Sequence, residues 1–108
     1  MPAWRLPPGE IEAESFRRIE AEAGKHGFAP EVWLVVRRMI HTTADFDYLT
    51  QTRIHPLAVA AGVAALRQGR PVATDTRMLA AGISTGRLRR LGVEVRCLMD
   101  APDVEAEA

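Results

Sequence analysis

Cysteine is almost missing from this chain: Cys97 is the one cysteine in 108 residues. No intramolecular disulfide can form, and a cysteine-built zinc site has no ligands. A reducing cytoplasm fits that usage. An excess of charge of one sign is also missing. Fourteen basic residues balance fourteen acidic ones, giving a formal net charge of zero. That balance argues against nucleic acid, which is held largely by neutralising phosphates. No apolar run approaches the ~20 residues that span a bilayer, so no membrane segment is expected. Residues 1–9 contain Pro2, Pro7 and Pro8 and no apolar core, which is unlike a signal peptide. They read as an extended leader. Internal repeats and low-complexity segments are lacking too. The length predicts a single domain over residues 10–108, with a modest core because small domains have unfavourable surface-to-volume ratios.

What is present reads as alternating helices and short strands. Pro7-Pro8-Gly9 blocks an earlier start, and a first helix is expected from about Glu10 to Ala23. Ile11, Ser15/Phe16, Ile19 and Ala23 recur along it at helical spacing. Gly24 and Gly27 stop it. Pro30 suits the first turn of a second helix, and Glu31 complements its positive end. Val32, Val35, Val36, Met39 and Ile40 form its apolar face, with His41 in the last turn or just beyond. From Thr43 to Ile54, Phe46, Tyr48, Thr50, Thr52 and Ile54 alternate with polar residues, which predicts a short strand or an extended loop. A third helix covers Leu57 to Arg67, where Gly62 suggests close backbone packing and Gly69 ends the run. Pro71 to Thr74 is a short strand. Asp75 or Thr76 caps a helix over Arg77 to Ala81, which Gly82 ends. Thr85 to Leu91 allows another helical turn. Val93 to Met99 is a strand with one buried end, and its Cys97 is expected to be an inert buried thiol. Asp103 to Ala108 can begin another helix. Trp4 and Trp33 are read as packing or interface residues, and His26 and His55 as structural. The pattern is that of an α/β fold, a short parallel sheet flanked by helices, fitting part of a larger three-layer α/β/α arrangement.

Residues 37–48 carry the chemistry. There an apolar helical run closes on Arg37, Arg38, His41, Thr42, Thr43, Asp45 and Asp47. An imidazole can give and take a proton near neutral pH, and the negative end of a helix favours its charged form. The bland alternative is a histidine that only suits a helix C-terminus. Thr42 and Thr43 can orient the imidazole or donate to a ligand's carboxylates; taken alone, each reads rather as an ordinary polar helix end. His41-x-x-x-Asp45-x-Asp47 is compatible with a divalent cation but lacks converging ligands, so no metal site is assigned. One aspartate instead fixes a loop or pairs an arginine. Thr74, Asp75 and Met78 follow a strand, and ligands of open α/β sheets bind beyond strand carboxyl ends. Arg87-Leu88-Arg89-Arg90 reads as an exposed basic turn.

Four blocks in order resemble the precorrin-8X methylmutases (precorrin isomerases) of cobalamin biosynthesis. Glu14-Ser15-Phe16-Arg17-Arg18-Ile19-Glu20 is similar to the family's first helix. Arg38-Met39-Ile40-His41-Thr42, followed by Ala44, Asp45 and Phe46, is similar to its Arg-Met-Ile/Val-His-Thr/Ala run. Ala65 to Val72 is similar to its helix-to-strand junction. Asp75, Met78 and Gly82 match its Asp-x-x-Met-x-x-x-Gly signature.

The resemblance implies an isomerase that moves a methyl group between adjacent carbons of a tetrapyrrole-derived macrocycle, with His41 as general acid. Ser15, Arg17, Arg38, Thr42, Thr43, Thr74, Asp75 and Met78 are then the substrate-binding candidates. Arg37, Arg53, Arg77, Arg87, Arg89 and Arg90 are further possible partners for substrate carboxylates. The resemblance implies no dissociable cofactor, with cobalt entering only as part of a cobalt-precorrin substrate. It also implies a homodimer whose site lies near the subunit interface. Family members are about twice as long, and Gly-rich loops of their second half help to build the site. The expectation is therefore a first half that acts with a second half or a partner chain. A non-catalytic corrinoid- or partner-binding half-domain is the alternative.

Overall fold

The computed structural model describes residues 5–83 and 85–100. Residues 1–4 of the expected leader, Trp4 among them, and the helix expected over Asp103 to Ala108 lie outside the described residues. The chain separates into two compact units, Met1–Pro56 and Leu57–Ala108.

The described residues of the first unit form three helices. α1 spans Pro8–Ala23 and α2 spans Pro30–Thr43, each with proline in its first turn. The expected start of α1 at Glu10 is corrected by one turn's edge. Pro8 and Gly9 are helical, because a proline at the first helical position gives up an N–H that has no partner there. Gly24 closes α1 at φ +60°, its N–H bonded to the Glu20 carbonyl at 3.2 Å. Two intervals of four residues set the buried line of α2, Val32–Val36–Ile40, with Trp33 beside it. Val36 and Ile40 are fully buried, which favours folding by roughly 1.5–3 kcal/mol for each side chain. Ile19 of α1 completes this small core. Val35, expected on the apolar face, is 41% exposed because it projects away from that line. The same holds for Ile11 at the open end of α1's stripe, at 38% exposed.

α2 ends abruptly. Ala44 takes a left-handed conformation at φ 56° and donates its N–H to the Ile40 carbonyl at 2.7 Å. Thr43 Oγ1 donates to the Met39 carbonyl at 2.8 Å and accepts the Asp45 N–H at 3.2 Å. Asp45 Oδ1 accepts the Asp47 N–H at 2.9 Å, so this aspartate fixes the loop. Here the strand or extended loop expected over Thr43–Ile54 is overturned in part. The Asp45 turn leads into α3, one helical turn over Tyr48–Gln51. The alternation of aromatic and β-branched residues finds no neighbouring strand among the described residues of this unit, so nothing holds it extended.

The second unit contains α4 (Ala58–Arg67), β1 (Val72–Thr74), α5 (Arg77–Gly82), α6 (Thr85–Arg90) and β2 (Val95–Cys97), then a 3-10 turn over Leu98–Asp100. β1 and β2 pair in parallel, with Val72 opposite Val95 and Thr74 opposite Cys97. α5 packs against both strands. The α/β class and the short parallel sheet are as expected. Thr76 caps α5: its Oγ1 accepts the Leu79 N–H at 3.1 Å. Gly69 turns at φ +71°, where an added Cβ would lie 3.3 Å from the Gly92 carbonyl oxygen. Gly62 contradicts its expected role, since nothing lies within 4 Å of a Cβ placed there. Cys97 is half-buried rather than buried, because β2 has one sheet neighbour among the described residues.

Candidate active site

Helix spacing assembles the site in the first unit. Trp33, Arg37 and His41 stand four residues apart on α2; Glu12, Phe16 and Glu20 stand four apart on α1. Each set therefore lines one helix face. The two lines meet in opposite order. Glu20 faces Trp33 and Arg37, and Phe16 faces Arg37 and His41.

His41 is half-buried in the last turn of α2. Its Nδ1 lies 2.7 Å from Ser15 Oγ. A hydroxyl can donate to Nδ1 of a neutral ring and accept from Nδ1–H of a charged one, so the contact survives either state. Nε2 has no partner among the described residues. The ring also packs against Phe16, with centroids 5.0 Å apart and a tilt of 50°. Arg37 and Arg38 place their guanidinium carbons 4.2 and 4.9 Å from the Phe16 centroid. An imidazole fixed through one nitrogen, with the other unengaged, can exchange a proton with a bound molecule.

A tethered layer of charge surrounds the pair. Trp33 Nε1–H donates to Glu20 Oε1 at 2.8 Å, and Arg37 donates to the same oxygen at 3.0 Å. The Trp33 hydrogen bond holds the Glu20 carboxyl below its usual range; desolvation opposes this, while Arg37 and then His26 reinforce it. Arg37 Nε is buried without a partner among the described residues. Arg38 donates to Glu12 at 2.9 Å, and Arg17 pairs with Glu14, which also accepts from Arg18 at 3.2 Å. Arg17, Arg37 and Arg38, three of the arginines expected to meet substrate carboxylates, are therefore already engaged by α1 glutamates. Beside Ser15 a cleft of about 260 Å³ opens, bounded also by Ile11, Ile19, Ala44 and Phe46. His41 does not line it among the described residues; Ser15 stands at its wall.

The other expected site residues are placed differently. Thr42 is exposed, and Thr43 serves the helix end. Thr74, Asp75 and Met78 belong to the second unit. Thr74 is buried at the end of β1 with its hydroxyl donating to the Thr76 carbonyl at 3.1 Å. Asp75 is exposed, its carbonyl 3.9 Å from Cys97 Sγ, and Met78 is 86% exposed. Sequence reasoning placed Phe16 in the stripe of α1 and Glu20 in a family block but gave neither a site role, and it did not name Glu12. Their four-residue spacing was the available signal. No group of His, Cys, Asp and Glu suited to a metal ion occurs among the described residues.

Comparison with known proteins adds an independent line. Residues 10–108 match the family model for precorrin-8X methylmutase (CbiC). The chain is 47% identical over 94 residues to a cobalt-precorrin-8 methylmutase of Leptospira interrogans, covering 87% of this chain and 43% of that relative. It is 37% identical over 103 residues to the cobalt-precorrin-8 methylmutase of Priestia megaterium, covering 95% of this chain and 46% of the relative. A crystal structure of precorrin-8x methyl mutase from Thermus thermophilus superposes with a TM-score of 0.83 at 51% identity, over 89% of this chain and 48% of that one. The chain thus spans about half the length of the relatives it matches.

Proposed function

The chain belongs to the precorrin-8X methylmutase family, and from that premise we propose that it takes part in methyl migration on a precorrin or cobalt-precorrin macrocycle. His41 is the general acid of this reading. The observation that carries it is the Ser15–His41 contact, which fixes one imidazole nitrogen and leaves the other unengaged. Protonation or hydrogen bonding at a ring nitrogen makes the conjugated macrocycle more electron-poor where the methyl group arrives. The charge that develops during migration then costs less. Such assistance typically contributes ~10²–10⁴-fold, and orientation of the bound ring adds to it. The methyl group moves within one molecule, so the reaction draws on no external donor.

Arg17 and Arg38 serve the substrate's carboxylates in this reading by sharing their guanidinium groups between Glu14 or Glu12 and the ligand. A fork with several N–H donors can do both. Thr42, Thr74, Asp75 and Met78 remain substrate-contact candidates, with Met78 and Asp75 open to solvent. The protein works in the cytoplasm, as a homodimer or with a chain that supplies further parts of the site. No helix among the described residues is long and apolar enough to cross a membrane.

The test is direct. Purified chain is mixed with precorrin-8X or its cobalt form, and the absorption spectrum is followed over time. A time-dependent conversion is the expected outcome. A static, saturable shift would reduce the role to corrinoid binding, and no spectral change with either substrate would remove both roles.

A further inference from the structure

We propose that the first unit carries a second ligand site, selective for a small aliphatic carboxylate, in the cleft between residues 25–28 and 49–54. The cleft measures about 480 Å³ and shares no lining residue with the one beside Ser15. That volume lies within the ~300–1,000 Å³ usual for small-molecule sites. Its composition is one-sided. Lys25, His26 and Arg53 line it, and no carboxylate does among the described residues, although the chain as a whole is neutral. Phe28, Leu49 and Ile54 supply hydrocarbon wall, and Thr50 and Thr52 add hydroxyl-bearing side chains.

The two permanent cations are differently prepared. Arg53 uses one terminal nitrogen to donate to the Thr50 and Thr52 carbonyls at 2.7 and 3.1 Å. This anchors the guanidinium while the rest of its planar fork stays available to an oxyanion. Lys25 holds no ion pair among the described residues. Neither cation therefore has to leave a protein carboxylate to meet a ligand, unlike Arg17, Arg37 and Arg38 elsewhere in the unit. His26 is locked against Trp33 at 3.9 Å between centroids, and its Nδ1 is buried, so it acts as a rigid wall. A cationic rim over an apolar wall suits an oxyanion joined to a short carbon chain better than inorganic phosphate. The carboxylate can arrive as a free acid or as an arm of a larger molecule.

The proposal stands apart from the His41 reading, and its test keeps them apart. Pentanoate, pentylamine and inorganic phosphate are titrated into the full chain, with backbone amide chemical shifts followed by NMR. Pentanoate is expected to move the Gly27, Phe28 and Thr52 amides saturably, more tightly than phosphate and without a matching effect of pentylamine. Lys25→Gln breaks no ion pair among the described residues and is expected to weaken pentanoate severalfold. Lys25→Gln combined with Arg53→Gln is expected to weaken it by about tenfold or more, the equivalent of 1.4 kcal/mol. His41→Ala should leave it unchanged. A porphyrin octacarboxylate distinguishes the sources. Tighter binding that also moves Ser15 and His41 identifies an arm of a larger ligand, and binding by pentanoate alone identifies a free acid. Equal shifts with pentylamine, or pentanoate binding untouched in Lys25→Gln, overturn the proposal.

Discussion

Ser15 decides how the His41 ring is presented, because it is the hydroxyl at Nδ1. Removing it frees the ring to rotate and to change tautomer. Ser15→Ala is expected to cost about 0.5–1.5 kcal/mol of stability, the net value of one such hydrogen bond. It should also redistribute the imidazole tautomers seen by nitrogen NMR. Unchanged tautomer populations would leave Ser15 with no orienting role. Glu20 makes a second argument at this scale. Its carboxyl is held below the ordinary value of 4.5 first by Trp33 and then by Arg37 and His26. A depressed carboxyl contributes stability that is full above its unfolded value and lost as pH falls through its folded value. The loss is therefore expected below about pH 4.5. It is modest, because Glu20 is 45% exposed and solvent screens the pair. Urea unfolding at neutral and acid pH checks this: Glu20→Gln should be the less stable protein at neutrality and show a shallower acid decline. Parallel declines would contradict the assignment.

At the scale of elements, the core of the first unit rests on few side chains. Ile40→Ala is expected to destabilise by about 2–5 kcal/mol, while Val35→Ala, on an exposed face, should stay within about 0.5 kcal/mol of wild type. Denaturant midpoints separate the two. The glycines of the second unit offer a paired test. Gly69→Ala is expected to lose more than about 1 kcal/mol, since φ is +71° and the new methyl crowds Gly92. Gly62→Ala, inside α4 with open space around it, should gain up to about 1 kcal/mol from helix propensity. Helices with prolines at their starts and glycines at their ends were legible, because those signals act locally. The alternating residues from Phe46 to Ile54 misled, because alternation means strand only where a neighbour exists to pair with. Gly62 misled for a similar reason: the residue type permits close approach without requiring it. His41 was legible from its place after an apolar run. Its partner Ser15 was legible as a stripe position and a family residue but not as a contact of His41, since a contact between two helices leaves no mark in local sequence.

At the scale of the molecule, family membership extends over nearly all of the chain, and the chain covers about half of each relative. Composition had narrowed the field by charge balance and by the single cysteine; the family itself came from ordered motifs. The central claim is that one imidazole, steadied by Ser15 at the close of α2, supplies the proton that helps a methyl group move. The most direct measurement is the rate of spectral conversion of precorrin-8X, or its cobalt form, by wild type and by His41→Ala under identical conditions. The account predicts a fall of roughly 10²–10⁴-fold in the variant, with the static shift of the bound macrocycle largely retained. Conversion by His41→Ala at the wild-type rate would contradict it.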